Sequence, residues 1–347
     1  MNRNIDLCNI ASDMITKPEI LSVTISREVE KLTELYDFSE SATVSFLAES
    51  ENKCYLVNDP LRSSNYVIRV NSGRLGHHQP QLIASEMMWL IALRSDSNVL
   101  VPQVLPAKDG SLVQTIHEPD LGKPRNAVAY SFLPGIEATK HEINLNFERL
   151  GELCAHLHLH AKGWIPPANF ERPSWTPKVI LDDQMGFGPW QKGVDVMGDT
   201  FVLFSRLENV VRRRLEELPT DNDNFGLIHS DLRLANLLVD GDTTAIIDFD
   251  DCGYGWYLFD LAGALTLLEE RSDVPQLIAS WITGYRKITQ IPDDSEEIIP
   301  TLIMLRRLQL IGWLGYQQQH LEFARNIGHT VTVDSRPLAR DYLKRFS

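Results

Sequence analysis

The chain has 347 residues, of which 43% are hydrophobic and 23% charged, the composition of an ordinary globular protein. Its formal net charge of −14 argues against a nucleic-acid partner, because nucleic-acid-binding surfaces are usually basic. No window approaches the roughly 18 uninterrupted apolar residues of a membrane span, and the first residues lack a long apolar run. We therefore expect no membrane partner and a cytoplasmic location, with the four scattered cysteines kept as reduced thiols.

The first part of the chain predicts an antiparallel sheet with accompanying helices. Apolar spacing indicates one helix over residues 25–37 and another over Gln81–Leu93. Segments rich in β-prone residues predict strands at Thr43–Ala48, Lys53–Asn58, Asn65–Val70, Val99–Leu105 and Ala127–Phe132. The Leu133-Pro134-Gly135 tripeptide then interrupts the pattern and predicts a hinge.

The second part of the chain is predominantly helical in pattern. Helices are predicted at Asn146–His160, Phe201–Leu218, Gly255–Leu268, Val274–Thr289 and Ile298–Gln318. A strand-rich part followed by a helix-rich part, with one small hairpin inside the latter, predicts an α+β fold in two lobes. We expect these lobes to comprise residues 1–132 and 133–347.

The hairpin carries the chemistry. Leu237–Val239 and Thr243–Ile247 are apolar and β-prone, and the Asp-Gly-Asp between them is a tight-turn signal. Folding the hairpin brings Asn236 and Asp248 together at its open end, with Asp231 on the loop that leads into the first strand. Three such oxygen-bearing side chains can hold Mg²⁺ and orient a hydroxyl nucleophile, as phosphoryl transfer requires.

The motifs around the hairpin resemble those of a known superfamily. His-x-Asp-x-Arg-x-x-Asn at His229–Asn236 is followed by Asp-Phe-Asp-Asp at Asp248–Asp251 and Asp-Leu-Ala at Asp260–Ala262. This segment resembles the aminoglycoside phosphotransferase and choline kinase superfamily, and within it most resembles the bacterial homoserine-kinase-like and stress-response-kinase-like group. The resemblance extends from about Ile25 to the C-terminus. It implies a bilobal protein-kinase-like fold, with an N-lobe of antiparallel sheet plus helix, a mostly helical C-lobe and ATP as the cofactor.

Roles follow for the hairpin residues. Asp231 is the candidate catalytic base, which would accept a hydrogen bond from the substrate hydroxyl and orient its oxygen. Asn236 and Asp248 are the candidate Mg²⁺ ligands. Asp250 is either a further metal contact or a solvated partner of Arg233.

The nucleotide would be held by the first part of the chain. Arg69 stands where the kinase pattern places its strand lysine and would neutralise the phosphates, with Glu86 as its ion-pair partner. The resemblance further implies hydrogen bonds from the adenine to the hinge, at Ala129, Ser131 and Leu133.

Several other residues have a supporting or an open role. His229 is expected to pack in the catalytic loop, and Asp260 to lead a helix and accept hydrogen bonds from the loop amides. Three acidic residues could either recognise an amine of the acceptor or face water, namely Glu269, Glu270 and Asp273.

The leading interpretation is an ATP-dependent phosphotransferase that moves the γ-phosphate to a hydroxyl of an amino-alcohol, an aminoglycoside or a homoserine-like compound. A Ser/Thr protein kinase of the stress-response type is an alternative, although the short segment after Asp248 favours a small substrate. A nucleotide-binding regulatory pseudokinase is an alternative from another class. The presence of Asp231, Asn236 and Asp248 argues against it, because a regulator has no chemical need for a base.

Overall fold

The computed structural model describes residues 27–73, 76, 78–116, 124–140, 143–291 and 293–347. In chain order its helices and strands are α1 Arg27–Leu35, β1 Thr43–Glu49, β2 Lys53–Asp59, β3 Ser64–Val70, α2 Pro80–Asp96, β4 Val104–Leu105, β5 Gln114–Ile116, β6 Arg125–Ser131, β7 Ile136–Glu137, α3 Ile143–Gly163, α4 Pro177–Leu181, α5 Asp199–Glu216, β8 Phe225–Ile228, β9 Leu237–Asp240, β10 Thr243–Ile246, β11 Gly253–Trp256, α6 Phe259–Ala264, α7 Val274–Arg286, α8 Ile299–Gln317 and α9 Glu322–Phe346. The expected combination of antiparallel sheet and helices is confirmed. Residues 25 and 26 of the first predicted helix lie outside the described residues.

The chain divides into two compact units. The first unit contains the described residues up to Glu137 together with Ile165–Glu171 and Leu237–Asp250. The second unit contains Ala138–Trp164, Arg172–Asn236 and Asp251–Ser347. Each unit is thus assembled from three separate segments of chain.

The first unit is built on an antiparallel sheet in the order β1-β2-β3-β6-β4, with β5 paired to β6. Its register places Cys54 opposite Arg69, and Ile68 opposite Ala129. The strands present one face to a core that includes Val57 and Ile68, both fully buried, because alternate residues of a strand point to the same side of a sheet.

Helix α2 belongs to the same unit and begins at Pro80, a residue whose fixed φ suits the first helical turn. It buries Ile83, Met87 and Leu90 on one face. Glu86, from the same helix, is 1% exposed. A carboxylate at that depth requires a partner, since an unpaired buried charge is strongly unfavourable.

The hairpin predicted from the sequence is present. Strands β9 and β10 pair with Asp240 opposite Thr243, and Gly241 in the two-residue turn has φ +57°. The hairpin falls in the first unit, however, although the sequence placed it with the helical lobe. The physical reason is pairing: β9 pairs with β7, and Leu100 forms a bridge with Ala245.

Two predicted elements are shorter in the structure. Of the expected strand Val99–Leu105, only β4 is a regular strand, since Pro102 cannot donate a backbone hydrogen bond. The expected helix Gly255–Leu268 begins only at Phe259, because the preceding residues form β11, which pairs with β8.

The second unit is mainly helical, and two of its helices approach closely through glycines. A Cβ at Gly151 of α3 would collide with the carbonyl oxygen of Trp281, and one at Gly284 of α7 with that of Glu148. Only glycine permits this backbone separation, so the two helices pack without intervening side chains at these points.

One helical stretch among the described residues, Ser295–Gln317, has the length and apolar composition of a membrane span. Of its apolar window, 89% is buried inside the protein's own fold. That burial is the behaviour of a core helix, and α8 packs against other helices of the second unit.

Candidate active site

The catalytic-loop candidate Asp231 is held by Asn236, five residues further along in the second unit. The Asn236 Nδ2 donates to the Asp231 carbonyl oxygen at 2.8 Å and to its Oδ2 at 3.2 Å. The backbone N–H of Asn236 donates to the Arg233 carbonyl at 2.9 Å, which closes the turn. Because the amide nitrogen is committed to Asp231, the amide oxygen of Asn236 is the atom that can face a cation.

Asp260 anchors the same loop from the start of α6. Its Oδ2 accepts the backbone N–H of His229 at 3.1 Å, and its Oδ1 accepts that of Ser230 at 2.6 Å. The prediction that Asp260 bonds the loop amides is confirmed. Ser230 has φ +72°, a left-handed conformation that is unusual for a side-chain-bearing residue, and such strain is often found beside functional groups.

A buried histidine supports Asp260 and was not expected to do so. His158 of α3 has its Nε2 3.0 Å from Asp260 Oδ2, and its Nδ1 3.0 Å from the Tyr285 hydroxyl oxygen. His158 and Asp260 both have no exposed surface. Nothing in the sequence indicated this contact. Histidines alternate at His156, His158 and His160, and this pattern does not show which of them faces the core.

Two arginines flank the Asp231 carboxylate. Arg306 of α8 places its Nη2 2.5 Å from Asp231 Oδ1, and Arg233 places its Nε 3.4 Å from Oδ2. The Asp231 side chain is 16% exposed, so it is partly accessible to a ligand. Arg306 was missed in the sequence, although two adjacent arginines inside an apolar helical run are a signal for buried, paired charge.

In the first unit, Arg69 and Glu86 form the expected ion pair. The Arg69 Nη1 donates to Glu86 Oε1 at 2.9 Å and its Nη2 to Oε2 at 2.6 Å, a bidentate arrangement that fixes the plane of the guanidinium. The Tyr130 hydroxyl donates to Glu86 Oε1 at 3.2 Å. Burial alone lowers the pKa of Arg69, but the charges of Glu86, Tyr130 and Asp250 raise it well above its ordinary value, so Arg69 is a permanent cation.

Asp250 is surrounded by donors of the first unit. Its Oδ2 accepts from Asn52 Nδ2 at 2.8 Å and lies 3.0 Å from His78 Nε2. Arg69 Nη2 lies 3.5 Å from its Oδ1. Asp250 is buried, at 8% exposure, so it is not the solvated side chain that one of the two alternatives expected, and Arg233 lies beside Asp231. The metal role of Asp250 stays a prediction.

Asp248 follows β10 in a left-handed conformation, φ +66°, which aspartate adopts more readily than most residues. Burial chiefly raises the pKa of Cys54 to about 12, Arg69 lowers it, and the charges of Asp248 and Asp250 raise it further. Asp248 therefore contributes negative potential on the Arg69 side of the sheet.

Each of the two residues predicted to bind Mg²⁺ carries an oxygen of the kind that this cation accepts. Among the described residues no group of three or more His, Cys, Asp and Glu side chains is arranged to hold a metal ion. Mg²⁺ does not need such a cage, since it commonly takes one or two protein oxygens together with phosphate and water. The amide oxygen of Asn236 and the carboxylate of Asp248 are donors of this kind.

The predicted hinge residues differ in whether their backbone groups already have partners within the protein. Ala129 is fully buried and lies opposite both Ile68 and Leu105, so it sits inside the sheet, and its contact with the adenine stays a prediction. The backbone N–H of Ser131 donates to the Gln103 carbonyl at 2.8 Å. Leu133 lies after the end of β6, and its backbone groups make no hydrogen bond within the described part of the chain.

Comparison with known proteins agrees with this geometry. The model of the family described as "Phosphotransferase enzyme family" matches residues 43–294. Amicoumacin kinase of Bacillus subtilis (strain 168) is 25% identical over 293 residues, which cover 80% of this chain and 81% of that protein.

Solved structures are similar over most of the chain. A microcompartment-associated aminopropanol kinase has a TM-score of 0.82 at 38% identity, covering 91% of this chain and 97% of its own. An amicoumacin kinase in complex with AMP-PNP, Ca²⁺ and Ami has a TM-score of 0.72 at 21% identity, covering 90% and 92%. Because this second structure is only 21% identical in sequence, its similarity shows the fold alone.

Proposed function

As the chain belongs to the phosphotransferase enzyme family, we propose that it transfers the γ-phosphate of ATP to a hydroxyl group of a small molecule. It is a kinase with an alcohol group as acceptor. The finer points, which are the nucleotide, the metal and the acceptor, are inferred from the residues of the two units.

The observation that carries the proposal is the environment of Asp231. Its carboxylate is partly accessible, is oriented by Asn236, and sits on a loop anchored by Asp260. We infer that Asp231 accepts a hydrogen bond from the acceptor hydroxyl and directs that oxygen toward the phosphorus. Positioning of this kind supplies much of the rate in phosphoryl transfer.

We assign the binding of the nucleotide and its metal ion to polar residues other than Asp231. Asn236 and Asp248 would hold Mg²⁺, which when bound neutralises charge on the phosphates. Arg69, fixed by Glu86, would add a second positive charge. Ala129, Ser131 and Leu133, in β6 and directly after it, are the candidate hinge contacts for the adenine.

A small acceptor is supported by the similar proteins, which are described as kinases of aminopropanol and of amicoumacin. The stretch from Asp248 to the start of α6 is short and contains β11, which leaves little chain for a peptide-binding platform. Its net charge of −14 argues against a nucleic-acid partner, and its four scattered cysteines favour a cytoplasmic enzyme.

The test is ADP release by the purified full-length protein with Mg²⁺ and ATP. The panel contains amino-alcohols, hydroxy amino acids, aminoglycosides and model proteins. We expect turnover with a small alcohol, and loss of about 10²- to 10⁴-fold in kcat for Asp231→Asn with ATP binding retained by calorimetry. Turnover only with protein substrates, or an Asp231→Asn variant as active as the wild type, would overturn the proposal.

A further inference from the structure

We propose that Arg306 binds a carboxylate of the acceptor, so that the preferred substrate is an alcohol that also carries a carboxylate rather than a simple amino-alcohol. This inference rests on the proposed function, because it concerns the acceptor of the same reaction. It names Arg306 as a specificity-determining residue.

The guanidinium of Arg306 is fixed by two neutral groups. Its Nε donates to Thr266 Oγ1 at 3.2 Å, and its Nη1 donates to Gln309 Oε1 at 3.0 Å. Both contacts restrain the planar group, and Arg306 is buried at 8% exposure. Nη2 is directed to Asp231, the one carboxylate that hydrogen-bonds to Arg306 among the described residues.

This arrangement places two demands on Asp231. As a base, Asp231 must accept a hydrogen bond from the substrate hydroxyl. Its Oδ1, however, is already the charge partner of Arg306. A buried guanidinium that loses its carboxylate is costly, because its desolvation is no longer offset by a counter-charge.

An acceptor with its own carboxylate resolves this conflict by exchange of partners. Its hydroxyl takes the Asp231 oxygen while its carboxylate accepts from Nη2 of Arg306, so the buried guanidinium keeps a counter-charge. An amino-alcohol provides no such replacement. It must either leave Arg306 unpaired or compete with it for Asp231.

The acidic groups that could have bound an amine are already paired. Arg307 Nη1 lies 2.8 Å from Glu269 Oε2, and its Nη2 contacts Glu270. Arg271 forms two hydrogen bonds with Asp273, each of 2.8 Å. The sequence left open whether these acids recognise an amine, and in the structure each of the three contacts an arginine, with Glu269 and Glu270 sharing the single charge of Arg307.

The experiment uses pairs of acceptors that differ only by the carboxylate. L-homoserine is compared with 3-amino-1-propanol, and L-threonine with 1-amino-2-propanol. We expect kcat/KM of the carboxylate-bearing member to exceed that of its partner by about 10- to 100-fold, the range of a charge-assisted hydrogen bond. Arg306→Gln should reduce that ratio to about one, chiefly by lowering kcat/KM of the carboxylate-bearing member.

Two variants separate recognition from general damage. Arg306→Lys keeps the charge without the fork and should retain part of the ratio. Arg233→Gln removes the other arginine beside the same carboxylate and should affect both members of a pair equally, leaving the ratio unchanged. Thermal unfolding and ATP binding show whether each variant is folded.

Acceptor binding in the presence of Mg²⁺ and AMP-PNP, measured by calorimetry, reports the same preference without turnover. A carboxylate preference that Arg306→Gln abolishes supports the assignment even where no phosphate is transferred, and the absence of transfer would then overturn only the proposed function. Equal or better binding of the amino-alcohols, or a ratio that Arg306→Gln leaves intact, overturns the assignment to Arg306.

Discussion

His158 and Asp260 form a fully buried pair, with 3.0 Å between Nε2 and Oδ2, and the same aspartate accepts two backbone amides of the catalytic loop. The pair therefore joins α3 and α6 to the segment that carries Asp231. A loop whose amides end on a carboxylate is held more firmly than one whose amides bind water, because hydrogen bonds to an ionised acceptor are roughly twice as strong as neutral ones.

Asp260→Asn should destabilise the protein and slow catalysis. The substituted amide has one acceptor oxygen, so a buried donor of the loop loses its partner, and we expect the free energy of unfolding to fall by about 2–4 kcal/mol. Urea unfolding measures this, with kcat as a second readout. Asp341→Asn, the same change at an exposed ion pair with Lys344, is the control and should leave the urea midpoint unchanged. An equal effect of both substitutions would contradict the anchoring role.

Gly284→Ala should be strongly destabilising, although alanine is the better helix former. The added methyl group would collide with the Glu148 carbonyl of α3, and overpacking of this kind costs about 1–3 kcal/mol or more. Gly163→Ala, at the end of the same α3, meets no atom within 4 Å and should be neutral or slightly stabilising. Thermal unfolding of the two variants side by side tests the helix contact, which a tolerated Gly284→Ala would disprove.

Arg69→Lys should weaken nucleotide binding while leaving the chemical step largely intact. Lysine retains the charge but cannot reproduce the bidentate contact with Glu86, so the cation is no longer held in one orientation. We expect KM for ATP to rise by about tenfold, the size of one charge-assisted hydrogen bond, with kcat changed much less. An unchanged KM for ATP together with a lower kcat would place Arg69 outside the nucleotide site.

The free energy of unfolding should fall at alkaline pH, in part because of Cys54. Burial raises the pKa of its thiol to about 12, whereas an exposed thiol in the unfolded chain titrates near about 8.5. Above the latter value the unfolded chain loses a proton that the folded protein keeps. Stability is therefore complete below about pH 8.5 and is lost as the pH rises toward 12.

Urea unfolding between pH 7 and pH 11 measures this loss. For one group the slope is up to about 1.4 kcal/mol per pH unit, and Cys54→Ala should make the decline shallower by up to that amount. Other groups, including the buried Tyr257 with its pKa raised to about 12, contribute the remainder. A decline that Cys54→Ala leaves as steep as before would show that the thiol titrates normally in the folded protein.

Features that depend on neighbouring residues were readable from the sequence. The hairpin followed from two β-prone segments and a Gly-containing turn, and its strands overlap the predicted segments, with Asp240 paired in β9 rather than lying in the turn. The ion pair of Arg69 with Glu86 and the amide contacts of Asp260 followed from family resemblance rather than from physics alone.

Features that depend on distant residues were not readable. Asp250 bonds to Asn52, 198 positions away, and Arg306 reaches Asp231 over 75 positions. No local periodicity encodes such pairs. Helix α9 was also missed, since its glycine, Pro337 and β-branched residues weaken helix propensity, and packing against α8 compensates.

Strand β11 was missed for a related reason. Its glycines look like a loop, yet a Cβ at Gly253 would collide with the Pro173 carbonyl. The chain lacks side chains there because another segment lies against it, which is a tertiary property.

The division of each unit into three alternating segments has a consequence for evolution and for engineering. The polypeptide crosses from one unit to the other five times, and two of those crossings directly follow Asn236 and Asp250. No single cut releases either half intact, and no simple gene fusion could exchange one for a homologous half. Exchange of one half would require all three of its segments to be moved together.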